Sequence, residues 1–296
     1  MLYRSLDSSV TFLQESLRAA CLIEATARKP GNVHPEAGFP DLTYEHFCLS
    51  ADRIVELVPL VSRSVGEAVL RVIQRTREIA PSNPNLGIVL LLAPLAAVPL
   101  DQSLSEGIGT VLDQLTVEDA QFVYEAIRLA RPGGLGKAPE QDIEEVPTGT
   151  LLEVMRLAAD RDRIACQYAN RFHDVLQIGV PLLLEWPDFA NRWEEATINL
   201  QLHLLATFPD SLIARKCGPE GAAEASRRAR ELLDGGWPDQ SASHLMLERF
   251  DAWLRADGNR RNPGTTADLV AACLFAALRE RLLPVPEWAK LGKDEG

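Results

Sequence analysis

The sequence is short of positive charge, of cysteine motifs and of aromatic rings. Its 296 residues include 30 Lys or Arg against 42 Asp or Glu, a formal net charge of −12 at pH 7. Binding to duplex nucleic acid rests on a broad excess of Lys and Arg. A nucleic-acid partner is therefore excluded, whereas a small anionic ligand held in a local basic pocket is not. The five cysteines, Cys21, Cys48, Cys166, Cys217 and Cys273, are scattered and form no CxxC pair. That pattern excludes a zinc ribbon and fits reduced thiols in a cytoplasmic protein. The longest apolar run, 86–100, is about 15 residues, short of the roughly 20 that span a bilayer, and holds Pro94 and Pro99. It predicts a buried core helix, with no membrane partner. The first residues include Asp7 and Glu15 and no apolar segment, so no signal peptide is expected. The Gly-rich stretch 131–137 carries Lys137 but lacks Walker spacing and follows no strand. It reads as a lid or a linker, and not as a P-loop.

No alternation of period two runs over five or more residues, and no repeat of fixed period is present. Helical periodicity is present almost everywhere. With 46% apolar and 24% charged residues, the expectation is an all-α fold: one globular multi-helix bundle over 1–296, its core about 12–283. Helices are expected over 12–27, over 44–51 behind a Thr43 cap, and over 54–77 as one long element. Further ones are expected at 88–95, 103–115, 117–130, 150–178 (one helix or a pair), 189–208, 222–233, 243–254 and 269–278. The end of the chain after Leu283 is expected to be loose.

Between these helices lie polar turns that carry chemistry. The first helix stops at Arg28 and Lys29, followed by Pro30, Gly31 and Asn32. Such a turn holds cations beside backbone amides, as a phosphate requires, and it also reads as an ordinary helix stop. Ser82, Asn83, Asn85 and Gly87 precede an apolar helix and serve equally as an anion cradle or as an N-cap. Asp210 is followed by Arg215 and Lys216. Asn262, Gly264, Thr265, Thr266 and Asp268 open the last apolar helix.

Lys29-Pro30-Gly31-Asn32-Val33, Ser82-Asn83-Pro84-Asn85-Leu86-Gly87, Asp210-Ser211-Leu212-Ile213-Ala214-Arg215 and Asn262-Pro263-Gly264-Thr265-Thr266-Ala267-Asp268-Leu269 resemble, in order, the signature blocks of the triphosphoribosyl-dephospho-coenzyme A synthase family. The resemblance covers about 19–278 and points to a divergent, archaeal-type branch. Where other members carry a His-Lys/Arg-Asp-Met segment, this chain has Phe39-Pro40-Asp41-Leu42. Where they have an Asn-Thr-His-Lys-Gly turn, it has Asn83-Pro84-Asn85-Leu86-Gly87.

The resemblance implies an all-helical, nucleotide-dependent transferase. It would move the triphosphoribosyl group of ATP to the ribose 2′-hydroxyl of 3′-dephospho-CoA and release adenine. A related phosphoribosyl transfer for a one-carbon carrier of methanopterin or methylofuran type is the alternative, and a non-catalytic helical scaffold a second. Phosphorylated small molecules are the expected partners, with ATP as substrate and Mg²⁺ as cofactor; a homo-oligomer is possible. Transfer at C1′ passes through an oxocarbenium-like state and needs phosphate neutralisation and proton transfer. The expected phosphate cations are Arg28, Lys29, Arg215 and Lys216. The amide and amide-side-chain cradles are Gly31, Asn32, Asn83, Asn85, Gly87, Asn262, Gly264, Thr265 and Thr266. Asp41, Asp210 and Asp268, with Glu24 as a fourth, would hold Mg²⁺ or act as base, and His34 is a candidate proton carrier. Lys29→Ala and Asp268→Asn are both expected to abolish activity with the fold intact.

Overall fold

The computed structural model describes residues 2–132 and 140–290. The expected 133–137 loop lies outside the described residues. Among them are thirteen α-helices: α1 (Leu2–Thr26), α2 (Tyr44–Ile54), α3 (Val65–Arg77), α4 (Leu86–Ala97), α5 (Leu104–Asp113), α6 (Val117–Ala130), α7 (Leu151–Ala158), α8 (Arg163–Ala169), α9 (Val180–Leu184), α10 (Phe189–Thr207), α11 (Ser211–Asp234), α12 (Ser241–Arg255) and α13 (Gly264–Arg279). A π-helical segment, Asp174–Gly179, leads into α9. The described residues hold no strand, and their one β-bridge is the isolated pair His34 and Ala37. The all-α expectation is met. None of these helices is long and apolar enough to cross a membrane.

The apolar α13 is the axis of the molecule. Val270 to Ala277 are all fully buried, and α1, α4, α9 and α10 pack around them. A helix apolar all round needs such a sheath. Helix α10 belongs to two cores at once. Leu200 and Leu204 face the main core, while Ile198, Leu202 and Leu205 join a second cluster with α11 and α12.

Helix α4 contains Pro94, which has no N–H to give the Leu90 carbonyl four residues back. The fully buried Tyr168 hydroxyl donates to that carbonyl at 2.6 Å, so the helix continues through the proline with no orphaned acceptor.

Several expected boundaries move, each for a local reason. The 54–77 helix is broken: a 3-10 turn, Val55–Leu57, is followed by turns, and α3 starts afresh where Ser64 accepts from the Glu67 amide at 3.0 Å. The 150–178 helix is cut by Asp162, whose carboxylate takes the Ile164 and Ala165 amides at 2.8 and 3.1 Å and starts α8. The polar segment after Asp210 is the first turns of α11, which runs on through a kink at Gly218. After Leu283, the described residues to Lys290 pack on the bundle: Trp288 meets Trp193 with ring centroids 4.8 Å apart, and Ala289 is buried.

Candidate active site

A cavity of about 680 Å³ opens where the first turns of α4, α8, α11 and α13 approach the loops after α1 and α12. That volume is in the range of small-molecule sites. The polar turns at Asn32, at Ser82 to Gly87, at Arg215 and Lys216, and at Asn262 to Asp268 all contribute to its wall. Segments more than 200 residues apart in sequence meet here.

The loop after α1 is fixed by hydrogen bonds of its own. Asn32 Nδ2 donates to Asn262 Oδ1 at 2.8 Å, and Gln201 Nε2 donates to Asn32 Oδ1 at 2.6 Å. Gly31 adopts φ +78°, and its N–H donates to Asp251 Oδ1 at 2.7 Å. A Cβ there would meet Pro263 Cδ at 2.8 Å, so glycine is required both by conformation and by space. Gly31 is therefore a fixed close approach between loops. Its amide is already engaged, and it does not line the cavity.

Lys29 was expected to meet phosphate. It is fully buried, with Nζ 2.9 Å from Glu24 Oε1 and also donating to the Glu24 carbonyl. The cation neutralises Glu24 from behind, and only Glu24 of the pair lines the cavity. Arg28 turns away as well. It grips Glu194 of α10 through Nε at 2.8 Å and Nη2 at 2.9 Å. His34 also lies outside the cavity lining. Burial, and then the charge of Arg255, lower its pKa and favour the neutral ring.

Asp210 has a structural place. It caps α11 through the Ile213 amide at 2.9 Å, and its other oxygen accepts from the Thr266 amide at 2.7 Å and hydroxyl at 2.8 Å. Both oxygens are engaged, and the residue is buried behind the cavity wall. Burial pushes its pKa up, and these hydrogen bonds oppose the shift. Thr265 is tied to Ser211 at 3.0 Å. The Asp210 and Thr266 pair thus clamps the first turns of α11 and α13 together.

Asp268 is different. Among the described residues no hydrogen bond reaches its carboxylate, which lies against the first turn of α4. A Cβ on Gly87 would stand 2.0 Å from Asp268 Oδ2. Asp268 is half-buried, and its open surface faces the cavity. Its pKa is raised well above the usual carboxylate range, first by burial and then by the charges of Glu24, Asp210 and Asp162; Arg215 opposes this. Asp41 sits exposed on the rim and accepts from the Ser82 hydroxyl.

Among the described residues, the cations of the cavity are Arg131, Arg161, Arg215 and Lys216. Arg215 is held by Asp162 at 2.6 Å, and its Nε is buried without a partner. Arg161 and Arg131 were missed as site residues. The Asp160-Arg161-Asp162-Arg163 run reads as a solvated face, but the α7 to α8 turn brings Asp162 and Arg163 partly inward and leaves Asp160 and Arg161 exposed, Arg161 at the cavity's edge. There Arg163 pairs with Asp174 and lies 4.1 Å over the Phe208 ring. Arg131 ends α6 in the left-handed region, φ 49°.

The carboxylates expected to hold Mg²⁺ do not assemble. Among the described residues no group of three or more His, Cys, Asp or Glu side chains is placed to bind a metal ion. Asp210 is saturated by amides and a hydroxyl, Glu24 is paired with Lys29, and Asp41 is on the rim. The donor set does not fit a resident cation.

The four-helix-end cradle keeps its parts in place through the capping of α4. Asn83 Oδ1 accepts from the Asn85 and Leu86 amides at 3.2 and 2.9 Å, so Asn83 is the working cap. Asn85 Nδ2 donates to Thr76 Oγ1 at 3.2 Å. The Asn85 Oδ1 atom is buried with no partner. Gly264, like Gly87, is a close-approach glycine: a Cβ would meet Leu212 Cδ2 at 2.7 Å.

Comparison with known proteins places this arrangement in context. The family profile described as "CitG: ATP:dephospho-CoA triphosphoribosyl transferase" matches residues 11–286. A protein of Pseudomonas syringae pv. tomato assigned as a probable 2-(5''-triphosphoribosyl)-3'-dephosphocoenzyme-A synthase is 28% identical over 109 residues. A similarly assigned protein of Stutzerimonas stutzeri is 27% identical over 118 residues. The first match spans 37% of this chain and 37% of that protein; the second spans 40% and 39%. A crystal structure from Archaeoglobus fulgidus with a triphosphoribosyl-dephospho-coA synthase assignment superposes with a TM-score of 0.62 at 26% identity. It covers 80% of this chain and 98% of that one.

Proposed function

The chain belongs to the CitG family of ATP:dephospho-CoA triphosphoribosyl transferases, and from that premise we propose that it moves the triphosphoribosyl group of ATP to the ribose 2′-hydroxyl of 3′-dephospho-CoA, releasing adenine. One observation carries this reading: polar turns from four distant segments surround a single cavity that, among the described residues, holds four cations and an Asp268 carboxyl with no hydrogen bond. A helical scaffold has no need to gather these groups and leave polar atoms without partners.

In this reading Arg215, Lys216, Arg161 and Arg131 neutralise the triphosphate. Asp162 holds the Arg215 guanidinium in place at 2.6 Å, so its charge is oriented before the nucleotide arrives. The apolar side chains of Phe39, Phe47, Val154 and Met155 line the same cavity and exclude water from the reacting carbon. Asp41 accepts the proton of the attacking hydroxyl, held by its hydrogen bond from Ser82. Any Mg²⁺ is bound to the phosphates of ATP and enters as part of the substrate. The five thiols are free, in keeping with a reducing cytoplasm, where both substrates would be met.

The test is direct. The purified protein is incubated with ATP, Mg²⁺ and 3′-dephospho-CoA, and adenine is followed by chromatography together with the mass of the CoA derivative. Adenine and a triphosphoribosylated product in equal amounts are expected. Absence of both, with phosphoribosyl pyrophosphate active in place of ATP, would move the assignment to a different donor. Arg215→Ala is expected to raise KM for ATP more than it lowers kcat.

A further inference from the structure

At the start of α4 two polar groups meet that have no hydrogen-bond partner among the described residues: Asn85 Oδ1 at the N-cap, and the carboxyl of Asp268, which reaches Gly87 from the first turns of α13. Asn85 is only 4% exposed. Its Nδ2 is committed to Thr76 at 3.2 Å, which leaves Oδ1 as a lone buried acceptor. Two residues on, Gly87 leaves the space into which the Asp268 carboxyl fits. Asn85, Gly87 and Asp268 all line the cavity, beside the apolar Leu86, Leu90 and Ile164. A buried acceptor without a donor costs free energy unless a ligand supplies one.

We propose that this pair reads and activates the departing base of the nucleotide: Asn85 Oδ1 accepts a hydrogen bond from the exocyclic 6-amino group of adenine, and the Asp268 carboxyl donates its proton to N7. The inference rests on the transferase reading and deepens it. Adenine presents an amino donor and an N7 acceptor side by side, and asparagine commonly takes both. Here the Asn85 amide nitrogen is engaged by Thr76, so it can take only the amino group. N7 is left to a second donor, and the Asp268 carboxyl of α13 lies against Gly87, two residues from Asn85. Burial and the nearby negative charges raise the proton affinity of its carboxyl, the direction a donor to N7 needs.

The step balances. The C1′–N9 bond breaks with its electron pair passing to the purine. The Asp268 proton goes to N7, so adenine leaves neutral. The acceptor oxygen bonds to C1′, and its hydroxyl proton is taken by Asp41. Proton exchange with solvent returns both carboxyls to their starting states. A 6-oxo purine would place a carbonyl oxygen against Asn85 Oδ1, setting two acceptors face to face.

The experiment uses the full chain with three nucleotides: ATP, ITP and 7-deaza-ATP. Equilibrium titration is expected to show ITP binding at least about tenfold more weakly than ATP, with 7-deaza-ATP binding within about threefold of ATP. Turnover of 7-deaza-ATP is expected to fall by at least about 100-fold, the scale of a lost general acid. In Asn85→Ala the ATP preference over ITP should shrink to within about threefold; if that variant does not fold, the wild-type comparison decides alone. Adenine release from ATP with equal turnover of the 7-deaza analogue overturns the proton transfer and leaves the transferase reading standing. No adenine release from ATP overturns that reading and the proton transfer with it. Equal binding of ATP and ITP overturns the role of Asn85 whatever the turnover.

Discussion

Gly87→Ala separates the fold from the site. On propensity alone the change should help, because alanine inside a helix is favoured over glycine by about 0.5–1 kcal/mol. The added Cβ would lie 2.0 Å from Asp268 Oδ2 and 2.5 Å from its Cγ. An ordinary contact starts near 3.4 Å, so the carboxyl must retreat by about 1.4 Å (3.4 less 2.0). It is the end of a short side chain beside an open cavity, so it can swing away. The packing cost of about 1–3 kcal/mol for a clash in a closed core is then mostly relieved. The net change in stability is expected to stay within about 1 kcal/mol. Catalysis has no such relief. A displacement of about 1 Å at a reacting group lowers rate by about 100-fold, equivalent to about 2.7 kcal/mol. Adenine release under saturating substrates, measured beside a urea unfolding curve, tests both halves. Turnover within threefold of wild type, with the same midpoint, would refute the claim that the position of Asp268 matters to the reaction.

Lys29→Met should leave the buried Glu24 without its cation and cost about 3–5 kcal/mol; a thermal melt close to that of wild type would contradict the pairing at 2.9 Å. Asp210→Ala should remove the α11 cap and both Thr266 hydrogen bonds, lowering stability by about 2–4 kcal/mol, read as a drop in the midpoint of helix melting by circular dichroism. Asp268→Asn should instead melt higher at neutral pH while turnover falls. Its folded pKa is raised, so the carboxyl contributes fully below the unfolded value of 3.8 and loses that contribution as pH rises; a lower melting point would oppose this. Asp119 runs the other way. Burial works to raise its pKa, but hydrogen bonds from Ser64, Thr116 and Gly66 outweigh burial and hold it below 3.8. Its stabilisation is present above 3.8 and lost as pH falls through the folded value, so Asp119→Asn should flatten the acid limb of the stability curve below about pH 4.

Helix positions were readable in the sequence where periodicity and a cap agreed, as in α6, whose bounds at Val117 and Ala130 match the expected ones. They were not readable where a side chain capped a helix from within a charged run. Asp162 looks like one of four surface charges, and only the fold shows it taking two amides and Arg215. The gathering of the polar turns followed from the ordered motifs. The roles within them did not, because a Lys-Pro-Gly-Asn turn gives no hint of whether its lysine faces a ligand or a buried glutamate. Tyr168 illustrates the same limit: nothing local links it to the Leu90 carbonyl that Pro94 leaves open, 78 residues away.

The carboxylates of the site sort by what their oxygens already hold. Asp210 and Asp162 each bind backbone amides at a helix start and one further group, so their charge is consumed in joining helices. Glu24 is matched by a lysine that has no exposure to solvent. Asp268 receives none of those bonds and feels the negative charge of all three. The acids that hold the helix ends together thus add to burial in raising the proton affinity of Asp268. Removing any one of them would change both stability and the proton on Asp268. Paired variants are therefore expected to be non-additive in rate, with Asp162→Asn reducing the further loss caused by Asp268→Asn.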